Sequence, residues 1–487
     1  MARECTGEFR RELERLFGSS VSFDPQILRS YDHDVGEMPG LLMAMVRHRP
    51  DAVVVARGAD DVRSLLRVCR VCGVPVTPRA QATSGYGGCI PGKGGVVLDL
   101  CSFDRLLAVD GKSLQVDVEP GMVWGELSRR LASHGMDVRV CPTSAPSSTV
   151  GGWFAMGGVG IGSLRYGSIA DTVVEIDVVT PDGDLRTCSG AEMEPFHQTC
   201  GTLGVVTRLR LACRKAEVLR TPAVALPDAG AVAAFLERIR EAEVHSACAQ
   251  SAPYCAMRAE ATGRAPAVKE GFLLSLAIPE GVPDGGVIED AARSLGGRML
   301  AEDVGEEEWR ERHYPMRIKR NGPSLLVGEF VVPWGGFAPA LADIAARLPR
   351  DRLGVEAFAV RGGTMAVLVY MLDDARSPIY PVRMVKAMVP LHVAARHGGR
   401  GYATGMWFAA AADAVFGREK ARLVRARKAA TDPEDMLNPC KTAGPALPFL
   451  PFVNLSRCIL TATAVLEPLA GLVPAARPRS AGPGGES

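Results

Sequence analysis

The sequence lacks an excess of charge of either sign, and it lacks any strongly basic block. Its 56 Lys and Arg residues are balanced by 55 Asp and Glu residues, which leaves a formal net charge of +1. Proteins that bind nucleic acids cluster Lys and Arg against the phosphate backbone. Because no Lys and Arg cluster with interleaved aromatic residues occurs, the sequence predicts no nucleic-acid partner.

Long apolar runs are also scarce. A membrane-spanning helix needs about 20 mostly apolar residues, whereas the most apolar segment, residues 444–474, contains Arg457, Glu467 and five prolines. The N-terminus is charged and lacks the apolar core of a secretory signal. We therefore expect a cytoplasmic protein. Four roles stay open for residues 444–474: docking of a partner, peripheral contact with a membrane, packing on the body of the protein, or a membrane span.

A disulfide framework is not indicated either. The 13 cysteines, an odd number, are scattered from Cys5 to Cys458, which is typical of free thiols in a reducing compartment. Cys69 and Cys72 form a CxxC pair, but they lie on a predicted helix and no second pair completes a zinc or iron–sulfur site. We expect no iron–sulfur cluster within this chain.

The sequence predicts a mixture of helices and strands, and the order of these elements differs between the first and the later part of the chain. A chain of 487 residues is too long for one compact core and predicts at least two domains. The first part has many short strands and a strand–helix–strand pattern at 51–78. The later part alternates strands and helices, with a hairpin across Gly362 and Gly363, and predicts an antiparallel sheet. We predict an α+β fold with domains at 1–217 and 218–441. The remaining tail, 442–487, is predicted to be apolar and then disordered.

Glycine is abundant in residues 149–168, "TVGGWFAMGGVGIGSLRYGS". The spacing argues against a dinucleotide-binding fingerprint, because after Gly158 and Gly160 the third position is Ser163. The segment also shows neither a clean preceding strand nor a helix that opens on it. Two further glycine-bearing segments occur at 76–100 and 200–211. Three such segments indicate one elongated cofactor held by main-chain N–H groups, or else tight turns in a β-rich domain.

Four motifs occur in order: "PRAQATSGYGG", "PTSAPSSTVGGWFAMGGVGIGSLRYGS", "GTLGVVT" and "DPEDMLNPCK". Together they resemble the FAD-linked oxidoreductases with a p-cresol methylhydroxylase-type flavin domain, and among them the group of glycolate oxidase and D-lactate dehydrogenase. The resemblance runs from about residue 50 to residue 441. It implies a two-subdomain FAD-binding domain, a cap domain with an antiparallel sheet, and FAD as the cofactor.

The resemblance also implies roles for matching positions. The main chain near the first motif would wrap the FAD pyrophosphate, the second motif would approach the flavin and its ribityl chain, the third would contact the flavin ring, and the last would return to the flavin site. The implied FAD-binding residues are Pro78, Arg79, Ala80, Gln81, Ala82, Thr83, Ser84, Gly87, Gly88, Pro142, Ser144, Thr149, Gly151, Gly152, Tyr166, Gly167, Gly204, Val205, Asn438 and Lys441.

The sequence departs from the family pattern at several positions. Ala80 and Ala82 stand where the pyrophosphate loop usually has glycines, and Cys440 replaces the glycine of the closing motif. Related hydroxy-acid enzymes carry a histidine-rich hairpin and a Glu-His-Gly segment, but this chain has "AVRGGTMAVLVY" and "ATG" there. Because neither imidazole nor carboxylate remains, we expect no metal at that place.

Catalytic candidates come from the second domain. In the charged stretch 311–324, Arg317 and Lys319 are candidates to pair with a substrate carboxylate, although a solvated cationic loop is an equal interpretation. Tyr402, which follows a glycine pair, is a candidate to line the pocket. No residue stands out as the base that removes the substrate hydroxyl proton.

These observations predict an FAD-dependent dehydrogenase that oxidises a small hydroxy acid or related alcohol. Electrons would leave through a separate acceptor, with an iron–sulfur subunit as one candidate partner. Two alternatives stay open: a flavin-fold synthase like alkyl-dihydroxyacetonephosphate synthase, and a non-catalytic subunit of a redox complex.

Overall fold

A computed structural model describes residues 7–282, 285–313, 315–447 and 450–473. Its internal contacts divide the chain into two compact units. The first unit contains the chain up to Gly158, Ser168–Ala216 and Ala403–Thr461. The second contains Val159–Gly167, Glu217–Tyr402 and the chain from Ala462 onward. The end of the predicted disordered tail lies outside the described residues.

A small mixed sheet opens the first unit. Its strands, in spatial order, are Val21–Ser22, Ala52–Val55, Val96–Asp99 and Val76–Arg79. The last three run parallel, with Ala52 and Val76 both opposite Val96. Helix Ala59–Cys72 buries Val62, Leu65, Leu66 and Cys69 and ends at Gly73, whose φ is +66°, as a left-handed helix cap requires. The strand–helix–strand pattern predicted at 51–78 is therefore confirmed.

Three helices precede this pattern: Gly7–Phe17, Pro25–Ser30 and Gly40–Ala44. The first places Phe9, Leu13 and Phe17 in the same core as Val54 and Leu65. The two short helices were not predicted, because each is under two turns and has no apolar period to detect.

An antiparallel sheet of six strands forms the rest of the first unit's β structure. Along the sheet the strands are Leu106–Asp110, Gln115–Val118, Val205–Lys215, Val173–Val179 and Leu185–Ser189, and Met136–Val138 pairs with the end of Val205–Lys215. Strands Val173–Val179 and Leu185–Ser189 form an antiparallel hairpin. Helix Trp124–Ala132 packs on this part of the chain.

The glycine-rich segment 149–168 contains helices, which corrects the prediction that no helix opens on it. Helices Val150–Met156, Ser163–Tyr166 and Ile169–Thr172 lie in or just after it. The first begins because the Thr149 hydroxyl accepts the Gly152 N–H at 3.2 Å, and it buries Trp153 and Phe154. The glycines of this helix interrupt the apolar repeat from which a helix is predicted. Position 151 requires glycine, because a larger residue would collide with Pro120.

The second unit is built on a nine-stranded antiparallel sheet, as predicted. Eight strands follow the order Arg298–Met299, Ala223–Leu226, Phe272–Pro279, Ser246–Ser251, Gly354–Val360, Thr364–Asp373, Ser324–Pro333 and Arg400–Gly401, and Leu219–Arg220 pairs with Phe272–Pro279. The hairpin across Gly362 and Gly363 is confirmed, and both glycines have positive φ.

The two faces of this sheet are covered by different elements. One face packs on an apolar cluster with helices Ala229–Arg238, Val287–Ser294, Trp334–Arg347 and Val385–Arg396. Helices Ala252–Thr262 and Glu302–Arg310 and a 3₁₀ helix at Pro315–Asn321 lie on the other face. Because strand side chains alternate, Val355, Ala357 and Ala359 face the apolar cluster. Glu356 therefore faces the opposite side.

The C-terminal region begins with helices Ala412–Phe416 and Arg418–Thr431 and a hairpin of Ala446–Leu447 with Leu450–Asn454. Whereas the predicted cap domain extended to residue 441, residues 403–461 group with the first unit. Helix Leu455–Leu466 and a 3₁₀ helix at Glu467–Leu472 follow. By length and composition alone, Leu455–Leu472 is one helical stretch apolar enough to cross a membrane, and 28% of it is buried.

Candidate functional site

The loop from Arg79 to Gly88 is the most accessible of the predicted FAD-binding segments. It follows the strand that contains Pro78, and its residues 80–84 are exposed or half-buried. Within the described parts of the chain, none of the main-chain N–H groups of Ala80, Gln81, Ala82, Thr83 and Ser84 donates a hydrogen bond to a protein acceptor. Such consecutive unclaimed donors suit a pyrophosphate.

Two of the three residues that replace the family's glycines adopt the backbone that glycine would supply. Ala82 has φ +52° and Cys440 has φ +70°, the left-handed region that non-glycine residues adopt at a cost. The replacement of glycine by Ala82 therefore introduces backbone strain that the fold tolerates. Ala80 shows no positive φ.

The closing motif meets this loop inside the first unit. The fully buried Asn438 donates through Nδ2 to the carbonyl oxygens of Gly88 at 2.9 Å and Cys200 at 2.5 Å. Lys441 donates through Nζ to the Ile90 carbonyl at 2.7 Å, and burial lowers the pKa of this amine. The structure thus brings together the first, third and last predicted segments.

The second segment also lies beside the loop. A Cβ added to Gly152 would lie 4.0 Å from the Cβ of Ala80, and one added to Gly88 would lie 2.7 Å from the sulfur of Met156. Pro142 and Ser144 form a turn in which the Ser144 carbonyl accepts N–H groups of residues 147 and 148. Thr149 caps the helix that carries Gly151 and Gly152.

The third segment closes against the core of the unit. Val205 opens the long strand Val205–Lys215 and is buried. Gly204 has no room for a side chain, because a Cβ there would lie 2.5 Å from Val178. A Cβ on Gly201 would lie 3.2 Å from the ring of Pro78, so this turn and the first segment are neighbours.

These residues fit FAD. Besides the unclaimed N–H groups, three buried side-chain oxygens near the segments make no hydrogen bond within the described chain: Asn438 Oδ1, Ser148 Oγ and Thr442 Oγ1. Buried polar atoms normally have partners, so these acceptors and donors indicate a polar ligand. Residues 79–88, 142–152 and 438–441 would hold it.

Segment 403–407, where the family's acidic-histidine pair is lost, also packs on the loop. A Cβ on Gly405, whose φ is +56°, would collide with the carbonyl oxygen of Tyr86, and a Cβ on Gly87 would lie 2.7 Å from Nε1 of Trp407. Trp407 is fully buried. Among the described residues, no group of three or more His, Cys, Asp or Glu side chains is arranged to hold a metal ion.

Tyr166 and Gly167 belong to the second unit. The Tyr166 ring lies 5.8 Å from the His245 ring, edge to face, and the guanidinium of Arg165 lies 5.6 Å from it. Gly167 has φ +80° and donates its N–H to the Ser163 carbonyl.

The catalytic candidates are dispersed within the second unit. Arg317 and Lys319 lie on the 3₁₀ helix Pro315–Asn321, where Arg317 pairs with Glu311 and Lys319 is exposed. The hydroxyl of Tyr402 accepts the N–H of Val159 at 3.2 Å. These three residues stay predictions.

A cleft in the second unit contains polar residues that sequence reasoning missed. The residues that line it include Gln250, Glu308, Arg312 and Glu356. The guanidinium of Arg312 lies 4.3 Å from the Trp309 ring. The usable signal for this cleft was the single acidic residue within the apolar strand "GVEAFAV", since a charged side chain amid buried neighbours is a functional candidate.

Glu356 is almost fully buried in this cleft. It accepts hydrogen bonds from the hydroxyls of Tyr254 at 3.3 Å and Tyr370 at 3.2 Å. Burial raises its pKa to about 7, although the nearby Arg258 and the two tyrosines oppose the shift. Arg258 pairs with Glu308 at 2.5 Å. The cleft therefore contains a carboxyl group that can exchange a proton near neutral pH.

Comparison with curated proteins identifies relatives over part of the chain. A D-lactate dehydrogenase [cytochrome], mitochondrial, of Arabidopsis thaliana is 34% identical over 175 residues, which are 34% of this chain and 30% of the relative. Glycolate oxidase subunit GlcD of Bacillus subtilis is 32% identical over 167 residues, 32% of this chain and 36% of the relative. The alignments thus span about a third of the length of these relatives.

Comparison with solved structures covers more of the chain and concerns the fold alone. A crystal structure of p-cresol methylhydroxylase with substrate bound has a TM-score of 0.76 at 18% identity, covering 91% of this chain and 98% of the other. A structure of alkyldihydroxyacetonephosphate synthase has a TM-score of 0.71 at 18% identity, covering 90% and 85%.

Two family models match the chain in succession. The FAD binding domain matches residues 50–189, and the C-terminal domain of FAD linked oxidases matches residues 216–442. The first match contains the loop 79–88 and the helix at Thr149, and the second ends just after Lys441. The protein belongs to the FAD-linked oxidases: it has their FAD binding domain followed by their C-terminal domain, on a fold that is also seen in p-cresol methylhydroxylase.

Proposed function

We propose that this flavoprotein is a dehydrogenase that oxidises a small hydroxy acid or related alcohol. The observation that carries the proposal is the cleft of the second unit, where Arg312 and the buried acid Glu356 line one cavity. The partial similarity to D-lactate dehydrogenase and to a glycolate oxidase component supports the same substrate class. FAD, when bound, supplies the acceptor for a hydride.

Arg312 is the proposed anchor for the substrate carboxylate. A guanidinium offers two parallel N–H donors to a carboxylate, which fixes orientation as well as adding charge. The Trp309 ring, 4.3 Å from the guanidinium, holds its plane in place. Gln250, which is 6% exposed, adds a polar group to the same cavity.

Glu356 is the proposed acceptor for the substrate hydroxyl proton. A general base works best when its pKa is near the operating pH, and burial raises the pKa of Glu356 to about 7. The Tyr254 and Tyr370 hydroxyls orient the carboxylate. This assignment provides the base that the sequence alone did not reveal.

We further propose that electrons pass to a separate acceptor protein, with an iron–sulfur subunit as a candidate. The support is that one relative is named as a subunit of an oxidase and another as a cytochrome-linked enzyme. The exposed Val465, Leu469 and Leu472 near the C-terminus suit a partner or peripheral contact with a membrane. A cytoplasmic location is part of the same proposal.

The test is anaerobic mixing of the FAD-loaded protein with glycolate, D-lactate, L-lactate and ethanol. A hydroxy acid should abolish the visible flavin absorbance without any added acceptor, and ethanol should have little effect. If no hydroxy acid changes the spectrum of a protein that carries FAD, the proposal fails.

A second candidate is a synthase of the alkyl-dihydroxyacetonephosphate synthase kind. It is favoured by the structural similarity over 90% of this chain and by a 27% identical relative of that name from Dictyostelium discoideum. In an assay for such a synthase, the product would be an alkyl-dihydroxyacetonephosphate and the flavin absorbance would show no net loss. Product formation in that assay, with no bleaching by hydroxy acids, would select it.

A further inference from the structure

The loop 79–88 is held at both ends by a short N-terminal segment, residues 30–36. This segment precedes both family matches, which begin at residue 50. We propose that Asp34 is a positioning residue of the FAD site: together with Gly36 and the main-chain carbonyls of Ser30 and His33, it fixes the main-chain course of the loop. The proposal concerns cofactor affinity and does not depend on which substrate the enzyme oxidises.

The first end of the loop is fixed through Arg79. Its guanidinium donates to the His33 carbonyl at 2.7 Å and to the Ser30 carbonyl at 3.3 Å, and it lies 5.3 Å from the Tyr31 ring. The Tyr31 side chain is itself held in place, because its hydroxyl donates a hydrogen bond to the Asp99 carboxylate at 2.5 Å. The N-terminal segment therefore engages the Arg79 side chain at the start of the loop.

The other end is fixed through Asp34, which is 7% exposed. One carboxylate oxygen accepts the Gly87 N–H at 2.8 Å and the other accepts the Gly36 N–H at 2.9 Å. A carboxylate would repel a pyrophosphate, so its position beside this loop is explained by the main chain that it holds. Without it, the buried Gly87 N–H would lose its acceptor, which is costly.

A close backbone contact lies between these two anchors. A Cβ on Gly36 would lie 2.6 Å from the carbonyl oxygen of Gly85, whereas a Cβ on Gly40, four residues later, would have no atom within 4 Å. Segment 30–36 therefore touches the loop directly, with room only for a glycine at position 36.

The contacts from segment 30–36 matter because the loop 79–88 would bind FAD through its main-chain N–H groups. The N–H groups of residues 80–84 have no protein acceptors among the described residues, and Ala82 is strained at φ +52°. A ligand that binds to such a loop gains affinity when the loop is already held in the bound shape, since less conformational entropy is lost on binding.

The test is D34N, measured as the dissociation constant for FAD added to the FAD-free protein. Asn keeps the shape but turns an NH₂ group toward one of the two N–H donors, so we expect the FAD dissociation constant to rise at least about tenfold. The matched control is D32N. Asp32 lies in the same region and contacts the side chains of His33, His48 and Arg49, and its change should leave FAD affinity within about twofold.

A second pair of variants uses the backbone contact. G36A should weaken FAD binding, because the added methyl must displace Gly85, and G40A should not.

To separate positioning from general destabilisation, thermal unfolding of the FAD-free proteins is measured beside the visible circular dichroism of bound flavin. We expect D34N to unfold within a few degrees of D32N while losing most of the FAD-induced rise in midpoint. Unchanged FAD affinity in both D34N and G36A, or an affinity loss matched by equal destabilisation of the FAD-free protein, would overturn the proposal.

Discussion

At the scale of single residues, Arg312 tests the proposed substrate class. R312A should lower kcat/KM for the best hydroxy acid about 10- to 100-fold, since a hydrogen bond to a charged group contributes roughly 1.5–3 kcal/mol. R312K should recover part of the loss, because it keeps the charge without the planar fork. R310A is the control, since Arg310 is an exposed arginine at the end of helix Glu302–Arg310, two residues before Arg312. Equal losses for R310A and R312A in steady-state kinetics would contradict the assignment.

Titration of Glu356 should change the stability of the protein and the rate of flavin reduction in opposite directions. Its pKa in the folded protein, about 7, is above the ordinary value of 4.5, so its contribution to stability is complete below about pH 4.5 and is lost as the pH rises through 7. The rate of flavin reduction should instead rise over that range, because only the carboxylate accepts a proton. E356Q should remove both dependences. Chemical unfolding and anaerobic stopped-flow measurements from pH 5 to 8 check them, and a reduction rate in E356Q that keeps the wild-type pH profile would refute the role.

The strained alanine of the loop gives a prediction with its control two residues away. A82G should raise the free energy of unfolding by about 0.5–1 kcal/mol, because glycine adopts φ near +52° without strain. A80G should lower it by up to about 1 kcal/mol, since Ala80 has no such strain and glycine only adds freedom to the unfolded chain. Denaturant unfolding of the two FAD-free variants measures the difference, and a shift of the same sign in both would rule out the strain.

At the scale of elements, helix Val150–Met156 tests how the second FAD segment is placed. G151A should destabilise the unit and weaken FAD binding, because its methyl has no room beside Pro120. G125A, in helix Trp124–Ala132, should be neutral or stabilising, since its methyl would meet the Ala145 carbonyl at an ordinary 3.4 Å and alanine favours helix. Thermal unfolding and FAD content of the purified variants compare them, and equal effects would show that packing does not set this helix.

The same elements show what periodicity can and cannot predict. Strand Ala52–Val55 was predictable as a short continuous apolar run, and helix Ala59–Cys72 was predictable because its apolar residues repeat with the period of a helix. Helix Val150–Met156 was not, because two of its seven residues are glycines that packing against Pro120 and Thr149 requires. Local propensity is overridden there by a tertiary contact.

At the scale of the whole molecule, the order of the motifs predicted the family correctly. The four motifs in order are specific, although each motif alone is ambiguous. Two features were not fully predicted from the sequence. The closing motif was expected to return to the flavin site, but the grouping of the whole stretch 403–461 with the first unit was not. The cleft of the second unit depends on which face of a strand Glu356 occupies. Both are properties of chain topology rather than of local pattern.

The contact of Asn438 with Gly88 and Cys200 joins residues that are 350 and 238 positions apart in the chain. During synthesis, which adds about 5–20 residues per second, the loop 79–88 leaves the ribosome long before the residue that closes its site. The nascent protein must therefore keep this loop without its last partner until nearly the whole chain has been made. If Asn438 is one of the residues that hold FAD, as proposed, cofactor loading follows the synthesis of nearly the whole chain, and a chain whose synthesis stops early lacks part of the proposed FAD site.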